Sequence, residues 1–196
     1  KMLLLSIISL TVGVGMNEFG ATENRTTFLA VAIASTLFYI YFMEISIQMD
    51  SLTKLLNRRC FDKHIKQLSY DTAIVFFDVN QFKSINDNYG HKHGDIVLQQ
   101  VASNIRNVFG NMGYIYRIGG DEFAMILKPG QLEKMNYLLM VELLEQRLDK
   151  VRQNENPILP SVSIGHAIYR EGMNKADVIS LADQRMYIHK NGSGRS

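Results

Sequence analysis

The sequence predicts an α/β domain, a central sheet with helices laid on it, preceded by a pair of apolar helices. Three observations predict it. Between residues 72 and 190, apolar strand-like runs alternate with helical stripes in the order strand–helix–helix–hairpin–helix–strand–helix. Gly119-Gly120 lies between the apolar runs 114–116 and 123–127, the pattern of a β-hairpin and its turn. Residues 2–16 and 28–43 are apolar and carry no charge.

Composition narrows the function classes. Of 196 residues, 46% are hydrophobic and 20% charged, so a packed core is expected and wholesale disorder is not. The net charge of +2 gives no electrostatic footprint for nucleic acid. The single cysteine, Cys60, excludes an internal disulfide framework and a Cys-rich zinc site.

The N-terminal runs come first. Residues 28–47, taken whole, are long enough to span a bilayer with Glu44 near the head groups. Residues 2–16 are short for a span. A cleaved signal peptide or a buried core helix are the alternatives, but neither run has a polar face, which favours membrane insertion. The chain begins with Lys rather than Met, which points to an upstream piece. The loop 17–27 sets Arg25 against Glu18 and Glu23, whereas Lys54, Arg58, Arg59, Lys63 and Lys66 follow the second run. The positive-inside rule then places the large C-terminal part in the cytoplasm. Phe42, Ile45, Met49, Leu52 and Leu56 alternate spacings of three and four, a short coiled-coil-like seam through which two copies can pair.

The remaining elements follow in order. Asp50-Ser51-Leu52-Thr53 reads as a local turn or helix cap. Residues 57–68 form an amphipathic helix. The apolar run 72–77 suits a strand buried on both faces and ends in Asp78. A short helix covers 82–89, a loop 90–94, and Asp95 opens a longer helix to about residue 109 whose stripe is Ile96, Leu98, Val101, Ile105 and Val108. The hairpin follows, with glycines that allow positive φ and close approach to the backbone. Residues 130–153 are helical, Pro157 and Pro160 mark a loop, 161–169 alternate like a strand, and 175–190 form the last helix.

Chemistry collects at the strand ends. Asp78 ends the first strand, where α/β sheets place ligands. Asp121 and Glu122 leave the hairpin turn on opposite faces of the outgoing strand. If these strands are neighbours, Asp78, Asp121 and a main-chain carbonyl near Val79 can share a hard cation such as Mg²⁺, which takes few carboxylates plus substrate phosphates. Asn86, His91 and Asp95 line the helix–loop–helix after the strand, and an amide with a carboxylate can read a purine edge. Lys190 and Arg195 end the chain as candidate phosphate contacts.

These motifs, in this order, resemble the GGDEF domain of the diguanylate cyclase family. Residues 50–59, DSLTKLLNRR, resemble the family's opening motif, and 77–87, FDVNQFKSIND, its metal-and-nucleotide motif. Residues 90–95, GHKHGD, follow in register, and 117–123, RIGGDEF, are the signature. Ser163-Ile164-Gly165 and residues 182–187 match the later strand and helix. The resemblance covers residues 50 to 195.

It implies a GGDEF, nucleotidyl-cyclase palm-like fold at 50–196, with 1–49 supplying transmembrane helices and a linker helix. It implies a diguanylate cyclase that joins two GTP into cyclic di-GMP and releases two pyrophosphates, as a homodimer in the bacterial inner membrane with the catalytic domain in the cytoplasm. Asp78, the Val79 carbonyl and Asp121 would hold Mg²⁺, with Mn²⁺ as the alternative. Asp121 would also help deprotonate the 3′-hydroxyl, with Glu122 as the second catalytic acid. Asn86 and Asp95 would bind guanine with His91 near the substrate. Gly119 and Gly120 would admit the phosphates and Lys190 would contact them.

Departures from the family pattern are Lys54, where Gly is usual, and Asn80, where Asp is usual. Arg195 stands one residue later than usual. An inhibitory Arg-x-x-Asp before the signature is replaced by Gly110 and Gly113, so product inhibition through that site is not expected. The rival functions are a catalytically silent GGDEF module and a membrane-anchored adaptor. The first must explain intact signature acids, and the second leaves the ordered motifs unexplained.

Overall fold

The computed structural model describes residues 22–193 and divides into two compact units, Lys1–Ile47 and Gln48–Ser196. The first unit contains most of helix α1 (Thr22–Gln48), which exposes Leu29, Val31, Ile33, Leu37, Phe38 and Ile40. Residues 22–27, expected in a polar loop, are helical. The first apolar run, 2–16, and Arg195 lie outside the described residues. Among the described residues no helix is long and apolar enough to cross a membrane, so the second run is not borne out as a transmembrane span.

The coiled-coil seam does not run through to Leu56. Helix α1 ends at Gln48, and Met49 instead makes an isolated antiparallel bridge with Leu56. The reversal is built by Asp50, whose Oδ1 accepts from Thr53 N at 2.8 Å and from Thr53 Oγ1 at 2.7 Å, and whose N–H donates to Leu55 O at 2.7 Å. Lys54 completes it with φ +58°, a left-handed conformation that glycine adopts without strain. The family's usual Gly at this place has its reason here.

The second unit is a five-stranded mixed sheet, in the order β1-β3-β4-β2-β5, with helices on both faces. Its elements are β1 (Leu56–Asn57), α2 (Arg58–Lys66), β2 (Thr72–Val79), α3 (Phe82–Tyr89), α4 (His91–Phe109), β3 (Gly113–Arg117), β4 (Glu122–Leu127), a 3₁₀ turn (Leu132–Lys134), α5 (Tyr137–Asn154), β5 (Val162–Tyr169) and α6 (Lys175–Ser193). Strand β1 pairs parallel with β3, and every other neighbour pair is antiparallel.

Alternation along β2 sorts the core into two faces. Ala73, Val75, Phe77 and Val79 belong to one cluster with Val97, Val101 and Ile105 of α4 and Leu144 and Leu148 of α5. Ile74 and Phe76 belong to the other, with Phe61 of α2 and Val178, Ala182 and Met186 of α6. All eight residues of β2 are buried, as its unbroken apolar run requires. Asp78 has the parity of Ile74 and Phe76, so it emerges on the α6 face.

Three expectations need correction. The loop 90–94 shrinks to Gly90, whose φ of +81° turns the chain directly from α3 into α4 at His91. The helix expected over 130–153 is broken: Met135 is extended, and Asn136 caps a new start at Tyr137 by accepting from Leu139 N at 3.2 Å. Strand β1 falls where the seam was expected to continue.

Candidate active site

The hairpin turn is narrow. Ile118 N and Gly119 N both donate to Glu122 O, at 2.9 and 3.3 Å. Neither Gly119 nor Gly120 has positive φ, contrary to expectation; the described positive-φ glycines are Gly90, Gly130 and Gly172. The missing Cβ of Gly119 leaves room for the Glu122 side chain instead: a Cβ there would lie 2.4 Å from Glu122 Oε2, and the flexible carboxylate would have to swing aside. A Cβ on Gly120 would meet open space, so Gly120 leaves its side of the turn clear for an incoming group.

Arg117 fastens this turn. Its Nη2 and Nε donate to Gly120 O at 2.7 and 3.2 Å, and its Nη1 reaches Asp50 Oδ1 at 3.2 Å. The DSLT turn and the signature turn are therefore tied through one guanidinium. Sequence reasoning read Asp50 as part of a local turn but gave Arg117 no role and did not link the two. The signal was present in a charged residue that opens a signature between buried strands.

The acids meet at the ends of β2 and β4. Asp78 is directly opposite Glu122 in the antiparallel register, so both side chains share the α6 face. Val79 N donates to Asp121 O at 3.1 Å, which extends the pairing past the strand and sets Asp121 beside Val79. Asp78 is buried, Asp121 half-buried and Glu122 exposed. The Glu122 carboxyl is held above the usual carboxylate range, first by partial burial and then by the charges of Asp121, Asp78 and Asp183, with Arg58 opposing. Asp183, on α6, is a fourth acid that sequence reasoning did not single out.

Lys190 reaches across from α6, and its Nζ lies 2.6 Å from Asp78 Oδ1. This reach depends on Gly165. A Cβ there would lie 2.1 Å from Met186 N and 2.3 Å from Ala182 O, so only glycine lets α6 lie this close to β5. Ile164 N donates to His189 Nδ1 at 3.2 Å and ties down the same turn of helix.

Asn80 explains its own departure from the family pattern. Its Nδ2 donates to Ser161 Oγ at 2.9 Å, its Oδ1 accepts from Ser163 Oγ at 2.7 Å, and its N–H donates to Ser161 O at 3.0 Å. The amide clamps the exit of β2 to the start of β5.

The residues expected to read a base lie on α3 and α4. Asn86 Oδ1 is buried and has no hydrogen-bond partner. It lies against Gly94, where a Cβ would come within 2.0 Å of it, and Asp95 follows next in the chain. His91 and Asp95 are exposed at the start of α4. Neither α3 nor α4 has a side-chain cap from its N-cap residue, and in α4 the His93 N–H donates to Gly90 O at 3.1 Å.

The donor set fits a hard divalent cation. Beyond the effect of partial burial, the negative charges of Asp121, Asp78 and Asp183 push the Glu122 carboxyl up, which marks a place that favours positive charge, and oxygen donors suit Mg²⁺. Among the described residues no three His, Cys, Asp or Glu side chains form a metal cage. Two carboxylates and a main-chain carbonyl fit an ion that keeps water and substrate oxygens.

Residues 47–196 match the model of the diguanylate cyclase GGDEF domain. Signaling protein YkoW of Bacillus subtilis is 35% identical over 150 residues, covering 72% of this chain and 19% of the relative. Diguanylate cyclase DosC of Escherichia coli is 32% identical over 168 residues, covering 79% of this chain and 36% of the relative. The coiled coil and GGDEF domain of DgcB from Caulobacter crescentus, solved in complex with c-di-GMP, superimposes with a TM-score of 0.72 at 26% identity, covering 88% of this chain and 96% of that one. The chain belongs to the diguanylate cyclase GGDEF-domain family. It spans about a fifth to two fifths of the length of such curated relatives, 19% and 36% for these two.

Proposed function

We propose that this chain is the catalytic module of a membrane-bound diguanylate cyclase, which acts as a homodimer to condense two GTP into cyclic di-GMP with release of two pyrophosphates. The observation that carries the proposal is the cross-strand pair Asp78–Glu122 beside Asp121 at the signature turn. Asp78, the Val79 carbonyl and Asp121 would hold the metal, Mg²⁺ or Mn²⁺. When bound, that ion neutralises charge on the transferring phosphoryl group.

The chain's own groups do the rest. Asn86 Oδ1, buried without a partner, accepts from the guanine edge together with Asp95. His91 stands beside the nucleotide. Gly120 admits phosphates, and Lys190 supplies a flexible cation to them. Asp121 accepts the proton from the 3′-hydroxyl. That oxygen bonds to the α-phosphorus of the GTP held by the facing subunit, and the bond from that phosphorus to the β-phosphate oxygen breaks. Repetition with the roles exchanged closes the ring and frees the second pyrophosphate. Glu122 supports the acid pair at the turn.

Membrane attachment through the N-terminal helices, with the catalytic unit in the cytoplasm, belongs to the same proposal. The exposed apolar side chains of α1 support it, since such a surface requires cover by lipid or by a second copy. A silent GGDEF module is the second reading, and the intact acids speak against it. Purified chain supplied with GTP and Mg²⁺ decides: product formation supports the proposal, and none at any protein concentration defeats it.

A further inference from the structure

Asp78 is a buried carboxylate, and a buried charge is not left without a partner. Its partner here is Lys190, with Nζ to Oδ1 at 2.6 Å. The Asp78 side chain is 11% exposed and that of Lys190 42%. The pair is therefore dry on the carboxylate side and open to solvent on the ammonium side. The backbone under Lys190 is pinned by the close contact of α6 with Gly165 and by the His189–Ile164 hydrogen bond. The four-carbon stem of Lys190 is the part that can swing.

We infer that Lys190 is the resident counter-ion of Asp78, and that metal and nucleotide therefore bind as a coupled pair. Without nucleotide, a divalent cation must displace the ammonium from Asp78 and leave it with no anion of its own. With nucleotide, the phosphates draw Lys190 outward and open Asp78 to the cation. Each ligand then strengthens the other by the same factor, as linkage requires. The device also gives the buried carboxylate a charge partner at every stage. A single ammonium meets Asp78 but cannot neutralise Asp121 and Glu122 as well, so the divalent ion prevails once Lys190 has phosphates to go to. This inference rests on the cyclase reading of the site.

The test is Mn²⁺ binding to the full chain, read from the electron paramagnetic resonance signal of free Mn²⁺. It is run with and without a GTP analogue whose α–β bridge is a methylene group, which the reaction cannot cleave. Lys190→Met should bind Mn²⁺ about tenfold more tightly than wild type in the absence of analogue, and the analogue's enhancement of Mn²⁺ affinity should shrink by the same factor. Lys190→Gln is the second variant, and thermal melts verify that both fold. Equal Mn²⁺ affinity in wild type and variant overturns the inference. So does equal tightening with and without analogue, because Lys190 would then be a fixed background charge. Absence of Mn²⁺ binding to all three proteins at millimolar concentration overturns it as well. Failure of the cyclase reading looks different: wild type would bind Mn²⁺ and analogue yet form no product from GTP.

Discussion

Arg117 bridges Asp50 and the carbonyl of Gly120, so the turn that follows α1 and the signature turn share one guanidinium. Burial pushes the Asp50 carboxyl up, but hydrogen bonds from the Thr53 side chain and backbone and from Arg117 outweigh it and bring it below the ordinary value of 3.8. A depressed carboxyl stabilises the fold above its unfolded value, and that stability is lost as pH falls through the folded value. Asp50→Asn should cost about 1–3 kcal/mol at pH 7 in urea melts. The gap to wild type should close below about pH 3.8. A gap that persists unchanged in acid would show that the charge of Asp50 is not what holds the turn.

Gly165 tests how Lys190 is aimed. In Gly165→Ala the new methyl would meet the backbone of α6 at Met186, which cannot swing aside. The helix must lift, at a cost of about 1–3 kcal/mol. Affinity for the methylene-bridged GTP analogue should fall with it, because Lys190 moves away from Asp78 and the phosphates. Unchanged melting and unchanged analogue affinity would mean that the packing is looser than the contact implies.

Lys54 sits at φ +58° where an L side chain is strained by about 1–2 kcal/mol, and Gly returns part of that gain through unfolded-chain entropy. Lys54→Gly should raise stability by up to about 1 kcal/mol without altering activity. A loss of stability would show that the Lys54 side chain makes a compensating contribution.

Added cyclic di-GMP should not inhibit turnover through the segment before the signature. Gly110 and Gly113 stand where relatives carry the inhibitory pair, and a Cβ at Gly113 would come within 2.5 Å of Met125 Cγ. Steady-state rates at rising product concentration are the measurement. Strong inhibition abolished by changes at residues 110–113 would contradict the expectation.

The sequence made strands β2 to β5, helices α3 and α6 and the hairpin legible because each has a clear apolar pattern and a clear stop. It made Asp78 and the signature acids legible through motif order. Other features depend on tertiary contacts that periodicity does not carry. Strand β1 is two residues long and exists only because β3 offers an edge. The seam through Met49 had the right spacing, yet the Asp50 turn overrides it. Gly119 was expected to supply positive φ and in fact supplies room for Glu122. The Asp78–Lys190 pair spans 112 residues and follows from the parity of β2 and the missing Cβ at Gly165.

The central claim is tested most directly by cyclic di-GMP formed per chain from GTP and Mg²⁺, measured across protein concentration for wild type and Asp121→Ala. The account predicts product from wild type with a per-chain rate that rises with concentration, because two subunits must meet. It predicts a loss of at least about a thousandfold in Asp121→Ala with an unchanged melting profile. Wild type that binds GTP but yields no cyclic di-GMP at any concentration, or an Asp121→Ala chain as active as wild type, would contradict it.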